Sequence, residues 1–197
     1  KKVTQYVTYM PYFISTVVMV GIVMQFLNPR IGIVNKFITA LGGKAIDFMG
    51  VPEFFKSIYV WSGIWQHTGW NSIIFLAALS SISQELHEAA MIDGASRFKR
   101  VIHIDLPGIM PTAIILLIMN CGQLMNVGFE KVFLMQNPLN LRSSQVIATY
   151  EYSVGLKSAA ANFSYATAIG FFNSAINLLL IIIVNKIAKT TTETSLW

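Results

Sequence analysis

Four long stretches without a single Asp, Glu, Lys or Arg constrain this chain more than any other feature: residues 10–27, 57–84, 108–129 and 158–185. Crossing the hydrocarbon of a bilayer takes roughly 20 residues of helix, and each stretch is about that long or longer. Inside lipid a backbone must satisfy its own hydrogen bonds, so uncharged stretches of this length are read as helices. A soluble domain of this size would spread its charges along the chain. Here charged residues are only 12% of the sequence, against 54% hydrophobic, and they are gathered into the connecting segments. The expectation is an all-α, polytopic membrane protein with four spans: Met10 to Leu27, Ile58 to Ser81, Pro107-Gly108 to Phe129, and Phe163 to Val184.

Local signals punctuate these spans. Asn28-Pro29 should end the first, because the residue before proline is pushed out of helical geometry. Residues 30–56 mix charges with Gly32, Gly42-Gly43 and Gly50-Val51-Pro52, and hold short apolar pieces, such as Ile31 to Val34, suited to small interfacial helices. Trp61, Trp65 and Trp70 read as an interfacial belt, in preference to platforms for sugar rings. Pro107 and Pro111 are tolerated at the start of the third span. Residues 130–157 read as a loop, Asn185-Lys186 as the end of the fourth span, and Thr190 to Thr194 as an exposed tail. The sequence begins at Lys1-Lys2 and not at Met, so it is expected to start inside a longer protein.

The net charge of +5 sits in short segments between apolar stretches and forms no continuous basic patch, which excludes nucleic acid as a partner. Cys121, the one cysteine, lies in an uncharged stretch and is read as packing, with no thiolate metal site. Four spans put both termini and residues 83–107 on one side. Lys and Arg divide evenly, but those of this side, Lys1 and Lys2 among them, occupy the shorter segments beside span ends. That places the side in the cytoplasm.

Between Ser83 and Pro107 lie seven charged residues and two histidines, too polar to cross a membrane. The segment reads as two short helices with a hinge: Ser83 caps the first, Gly94 supplies the left-handed residue that closes it, and Ser96 caps the second. Ala89 and Ala90 present almost no side chain, so another protein's surface can approach the backbone closely there.

The order Glu88-Ala89-Ala90, three residues, Gly94, nine residues, then Ile104, Leu106 and Pro107 resembles the EAA motif of importer permeases, at all seven fixed positions. Residues Trp65 to Trp70, Ile82 to Arg97, Asn126 to Glu130, Asn137-Pro138 and Ser195 to Trp197 extend the likeness to permeases that import oligosaccharides or polysaccharide fragments. The resemblance implies a MetI-like transmembrane domain of a type I ATP-binding-cassette importer, covering residues 1–197 and usually built from six spans, so two would precede this sequence. It implies a multi-pass subunit of the bacterial inner membrane that pairs with a second, similar permease and an extracytoplasmic solute-binding protein. Two ATPase subunits would dock on residues 83–107, the coupling helix, through Glu88, Ala89, Ala90, Asp93, Gly94, Ile104, Leu106 and Pro107. In this picture the ATP and Mg belong to the partner ATPase, and the chain has no cofactor of its own.

The residues agree that chemistry happens elsewhere. There is no Gly-x-x-x-x-Gly-Lys-Ser/Thr pattern for a nucleotide, no acid within a span for an intramembrane enzyme, and no filter or charged ring for a channel. His67, His87 and His103 are scattered and lack metal-ligand spacing. Polar residues inside spans face protein or water. Gln25, His67, Asn71, Asn173 and Asn177 are read chiefly as bonds between helices. Asn120, Gln123 and Asn126, at three-residue steps close to one helical face, are the candidates for the solute path. The solute itself stays open: a saccharide by resemblance, which the neutral amides favour, otherwise an amino acid, a peptide or an anion, for which Lys131 or Arg142 near the outer face is the basic residue to recruit.

Overall fold

The computed structural model describes residues 2–158, 160–192 and 194–196. Lys1, Glu193 and Trp197, which entered the charge count, the tail and the terminal motif, lie outside the described residues. Every regular element among the described residues is helical: α1 (Lys2–Tyr9), a 3-10 turn (Met10–Phe13), α2 (Thr16–Leu27), α3 (Ile33–Ala40), α4 (Pro52–Ser80), α5 (Gln84–Ile92), α6 (Arg97–Arg100), a π turn (Val101–Asp105), α7 (Leu106–Cys121), α8 (Phe129–Met135), α9 (Leu141–Ser144), α10 (Ile147–Tyr152), a second π turn (Ser153–Lys157) and α11 (Phe163–Thr192). Two compact units emerge, residues 1–70 with 126–173 and residues 71–125 with 174–197.

The first expected span is not one helix. Pro11 lies in the 3-10 turn, Ile14 and Ser15 are extended, and Ser15 starts a new helix by accepting from Val18 N at 3.3 Å. The pieces Val3–Phe13 and Thr16–Leu27 meet at 102°. At about 1.5 Å per residue, α2 alone is roughly 18 Å long, short of a hydrocarbon core of about 30 Å. Asn28 does end it, turning its side-chain oxygen onto Arg30 N and Ile31 N at 2.9 and 3.2 Å.

The other boundaries move as well. Helix α4 starts at Pro52, six residues before the expected span, because proline suits the first turn of a helix. Its 29 residues are ample for crossing, yet Gln66, His67, Asn71 and three tryptophans dilute its apolar character. Among the described residues only Arg97–Cys121 and Phe163–Thr192, or a third span if the bent pair counts as one, combine the required length with the required hydropathy. Helix α7 ends at Cys121, not at Phe129. There Gly122 meets the side chain of Ile181, 3.0 Å from where a Cβ would stand. Residues 130–157 are largely helical instead of loop, and α11 runs through Lys186 to Thr192, so Thr190 to Thr192 belong to the helix and not to a tail.

The first unit has the denser interior. Met19 and Val20 from α2, Phe55 from α4, and Val132 and Met135 from α8 form its core. Two buried asparagines fix the surrounding chain. Asn35 donates to the carbonyls of Leu27, Asn28 and Ile46 at 3.1, 3.2 and 2.9 Å and accepts from Ile46 N at 2.7 Å. Asn140, wholly buried, donates to the carbonyls of Met49 and Met135 at 3.0 and 3.1 Å and accepts from Asn137 N and Ser144 Oγ at 2.9 and 3.0 Å. In the second unit Ile118 is fully buried, Asn177 accepts from Met125 N at 3.2 Å, and Asn185 accepts from Leu196 N at 2.8 Å. The apolar windows of Arg97–Cys121 and Phe163–Thr192 are each only 6% buried. Their outer side chains therefore require an apolar medium.

Candidate functional site

The segment from Ser83 to Pro107 carries the expected caps, but its second helix is not short and runs on into α7. Ser83 is extended and accepts from Glu85 N at 3.2 Å, opening α5. At the far end Asp93 is the last residue of the cap, Gly94 has φ +74°, and the bonds Gly94 N to Met91 O (3.1 Å) and Ala95 N to Ala90 O (2.8 Å) complete a Schellman motif. Nothing lies within 4 Å of a Cβ at Gly94, so conformation alone demands glycine. Ser96 then accepts from Lys99 N at 3.4 Å and starts α6.

Helix α6, the π turn Val101–Asp105 and α7 continue as one Arg97–Cys121 helix. The wide turn has a local cause: Pro107 cannot donate, and its ring disfavours ordinary helical placement of the carbonyl four residues earlier. Leu106 N bonds to Val101 O across five residues. This turn was not foreseen from the sequence, although a proline behind an aliphatic run is the signal that marks it. His87 Nε2 stands 3.2 Å from Asp105 Oδ1, clasping α5 to the start of that helix. Glu88 is exposed and accepts from Gln84 Nε2 at 3.0 Å, while Ala89 is exposed and Ala90 half-buried. Around them Leu86, Met91, Ile92 and Phe98 are 55%, 51%, 87% and 72% exposed. Ile104 is half-buried, Leu106 and Pro107 are exposed, and Gly108 lets the chain close on the side chain of Ile82. The segment is thus a rigid, doubly capped helix offering uncovered apolar side chains around a small, acid-marked face.

The expected solute-path residues do not share a helical face. Asn120 is in the last turn of α7, Gln123 lies in the turn that follows, and Asn126 is in irregular chain, where its Oδ1 accepts from Asn173 Nδ2 at 3.1 Å. Asn173 and Asn177 of α11 each bond a residue distant in sequence, but those partners, Asn126 and Met125, lie in the irregular chain between α7 and α8 and not on a second helix.

A different face stands out in the first unit. Tyr59, Gly63, His67 and Trp70 follow one another at helical spacing on α4. Lys131 of α8 reaches this face: Nζ donates to Tyr59 O at 2.8 Å and lies 4.5 Å from the Tyr59 ring centroid. Burial pulls its ammonium down to about 8. Trp70, expected as a membrane anchor, stacks on Tyr12 with centroids 4.4 Å apart and planes at 3°, and His67 meets Tyr12 edge-on at 5.7 Å. Nearby, Gln66 is buried and donates to Ile14 O at 3.0 Å, holding the bend of the first span. Gln66 was not a site candidate by sequence, and Lys131 entered only, with Arg142, as a cation for an anionic solute; their partners here lie 52 and 72 residues away.

The family described as "binding-protein-dependent transport system inner membrane component" matches residues 1–193. Protein LplB of Bacillus subtilis (strain 168) is 42% identical over 189 residues, which are 96% of this chain and 59% of LplB. The polygalacturonan/rhamnogalacturonan transport system permease protein YteP of the same organism is 38% identical over 96% of this chain and 58% of its own length. The chain therefore spans less than two thirds of these relatives. A chain in the crystal structure of a bacterial alginate ABC transporter, in complex with an alginate pentasaccharide-bound periplasmic protein, superposes with a TM-score of 0.94 at 38% identity, covering 99% of this chain and 67% of that one.

Proposed function

Because this chain belongs to the family of binding-protein-dependent transport system inner membrane components, we propose that it acts as the permease subunit of an ATP-driven importer for oligosaccharide or polysaccharide fragments. The observation that carries this reading is the doubly capped α5, with Glu88 and Ala89 exposed among uncovered Leu86, Ile92 and Phe98. A short helix of this kind, gripped by a moving partner, transmits a rigid-body displacement and does not absorb it.

Two ATPase subunits bind and hydrolyse ATP with Mg and seat residues 83–107 in their grooves. Glu88 is the polar anchor, Ala89 and Ala90 permit close approach, and Asp93 with Gly94 sets the bend. Displacement of α5 passes through the His87–Asp105 clasp and through Ile104, Leu106 and Pro107 into α7. A second, similar permease completes the solute path, an extracytoplasmic binding protein delivers the solute, and the path opens alternately to either side of the inner membrane. Asn120, Gln123 and Asn126 supply neutral donors and acceptors along that path. The saccharide class is supported by the likeness to permeases named for polygalacturonan/rhamnogalacturonan and for alginate.

The test is ATP hydrolysis by the whole complex in lipid, with binding protein loaded with candidate oligosaccharides, comparing native chain with Glu88→Lys. Stimulation by a saccharide that the substitution abolishes is the expected result. Hydrolysis indifferent to Glu88→Lys would overturn the coupling role. Stimulation only by an amino acid, a peptide or a small anion would keep the importer and replace its solute.

A further inference from the structure

Lys131 is a half-buried cation whose described partners are neutral. Tyr59 O takes one of its three N–H donors at 2.8 Å, and the Tyr59 ring lies 4.5 Å away. Among the described residues no carboxylate oxygen stands within ion-pair distance of the amine. Withdrawing an ammonium from water without an anion is costly, and the lowered proton affinity of Lys131 records that cost. Such a charge is maintained where something anionic comes to it. Gly63 leaves room for the amine against α4, since a Cβ there would stand 3.2 Å from Nζ.

The surroundings say what kind of anion. Further along the same face of α4, about 10 Å from Gly63 at 1.5 Å per residue, the stacked Tyr12 and Trp70 are 36% and 39% exposed, with His67 between Gly63 and Trp70 on the helix. Aromatic faces suit the C–H faces of sugar rings, and an ammonium suits a carboxylate. A simple inorganic anion would use the charge and leave the rings idle. We propose that Lys131 is a specificity-determining residue that selects saccharides bearing a carboxylate, by donating a charge-assisted hydrogen bond to it while the sugar chain lies along Gly63, His67 and Trp70. This inference rests on the saccharide-importer reading above and narrows it to uronate-type sugars.

The experiment is equilibrium binding of an oligogalacturonate and of its carboxyl-reduced, neutral counterpart to the assembled complex in lipid nanodiscs, without binding protein, for native chain, Lys131→Met and Lys131→Arg. A charge-assisted bond corresponds to a factor of about ten to one hundred in affinity. Native chain is expected to prefer the acid by that factor, Lys131→Met to bind acid and neutral sugar alike, and Lys131→Arg to keep most of the preference. A purely structural lysine would change both affinities together. Equal affinity of native chain for the two sugars overturns this inference and leaves the saccharide reading standing, and that comparison holds even if Lys131→Met fails to assemble. Binding of neither sugar overturns both.

Discussion

Asn140 is wholly buried and four hydrogen bonds converge on its side chain, whereas Glu88 is exposed and its described partner is Gln84, one turn back on its own helix. Around Asn140 the chain draws in Met49 and Met135, Val132 and Met135 are fully buried, and Asn137 Nδ2 adds a bond to Met49 O at 2.9 Å. Around Glu88 every residue of α5 is exposed or half-buried, and the element is ordered by its caps. The first region gets its shape from long-range closure, the second from local chemistry. A surface meant for a partner must be rigid before the partner arrives, and caps can achieve that without burying the face the partner needs.

Substitutions break the contrast most sharply at Asn140. Asn140→Leu strips the buried Met135 carbonyl of this donor and leaves Asn137 N and Ser144 Oγ without their acceptor. At about 1–3 kcal/mol for each buried group left unsatisfied, a loss on the order of 3 kcal/mol or more is expected. It should appear as a large drop in the melting temperature of the purified complex or as failure to assemble. A change no larger than that of a surface substitution would mean that the hub is not what holds this region.

Gly94→Val comes next. Forcing a side-chain-bearing residue to φ +74° costs about 1–2 kcal/mol, and open space around the position leaves no clash to add. The cost falls on α5 alone, so the complex should melt nearly as before while stimulation of ATP hydrolysis by loaded binding protein collapses. Gly94→Asn should be milder, since asparagine tolerates this conformation. Equal damage to melting and to stimulation would erase the distinction between the two regions.

His87→Ala should do less, under about 1 kcal/mol, because the clasp with Asp105 is a partly exposed pair. Its signature is kinetic: stimulated hydrolysis weakens more than basal hydrolysis.

A last test is pH. The Lys131 ammonium is held down to about 8 from an ordinary 10.5. Its charge therefore opposes folding fully below about pH 8, and that opposition fades as pH rises toward 10.5, where the unfolded chain still carries the proton and the folded one has released it. The melting temperature of native chain should gain over that window relative to Lys131→Met. Parallel curves would show that the lysine is solvated.

What was legible in the sequence follows the same division. Ser83, Gly94 and Ser96 were assigned their roles from neighbours within a few residues, and the structure places them so. The end of α7 was not legible, because Gly122 stops beside Ile181, a contact across 59 positions of sequence. Its consequence was the mistaken single helical face for Asn120, Gln123 and Asn126, which share a spacing but not a helix. The break in the first span was written locally, in Pro11 and in the cap residue Ser15. An unbroken uncharged run concealed it, since hydropathy carries no information about backbone geometry. Lys131 was named with Arg142 as a cation for an anionic solute, but its setting against Tyr59 was not legible, because α8 makes that contact across 72 positions.

The long helices Arg97–Cys121 and Phe163–Thr192 keep nine tenths or more of their apolar windows uncovered within the chain. Selection along them therefore works on an altered vocabulary. At Phe171, 76% exposed, or Leu178, 60% exposed, shape is almost free and oiliness is fixed: leucine, isoleucine, valine and phenylalanine are near synonyms, and a single lysine is a misspelling. At Gly122 or Asn177 the rule inverts, and size or hydrogen-bonding capacity matters more than hydropathy. Drift among homologues should consequently be fast but chemically monotonous on one side of each helix, and slow on the other.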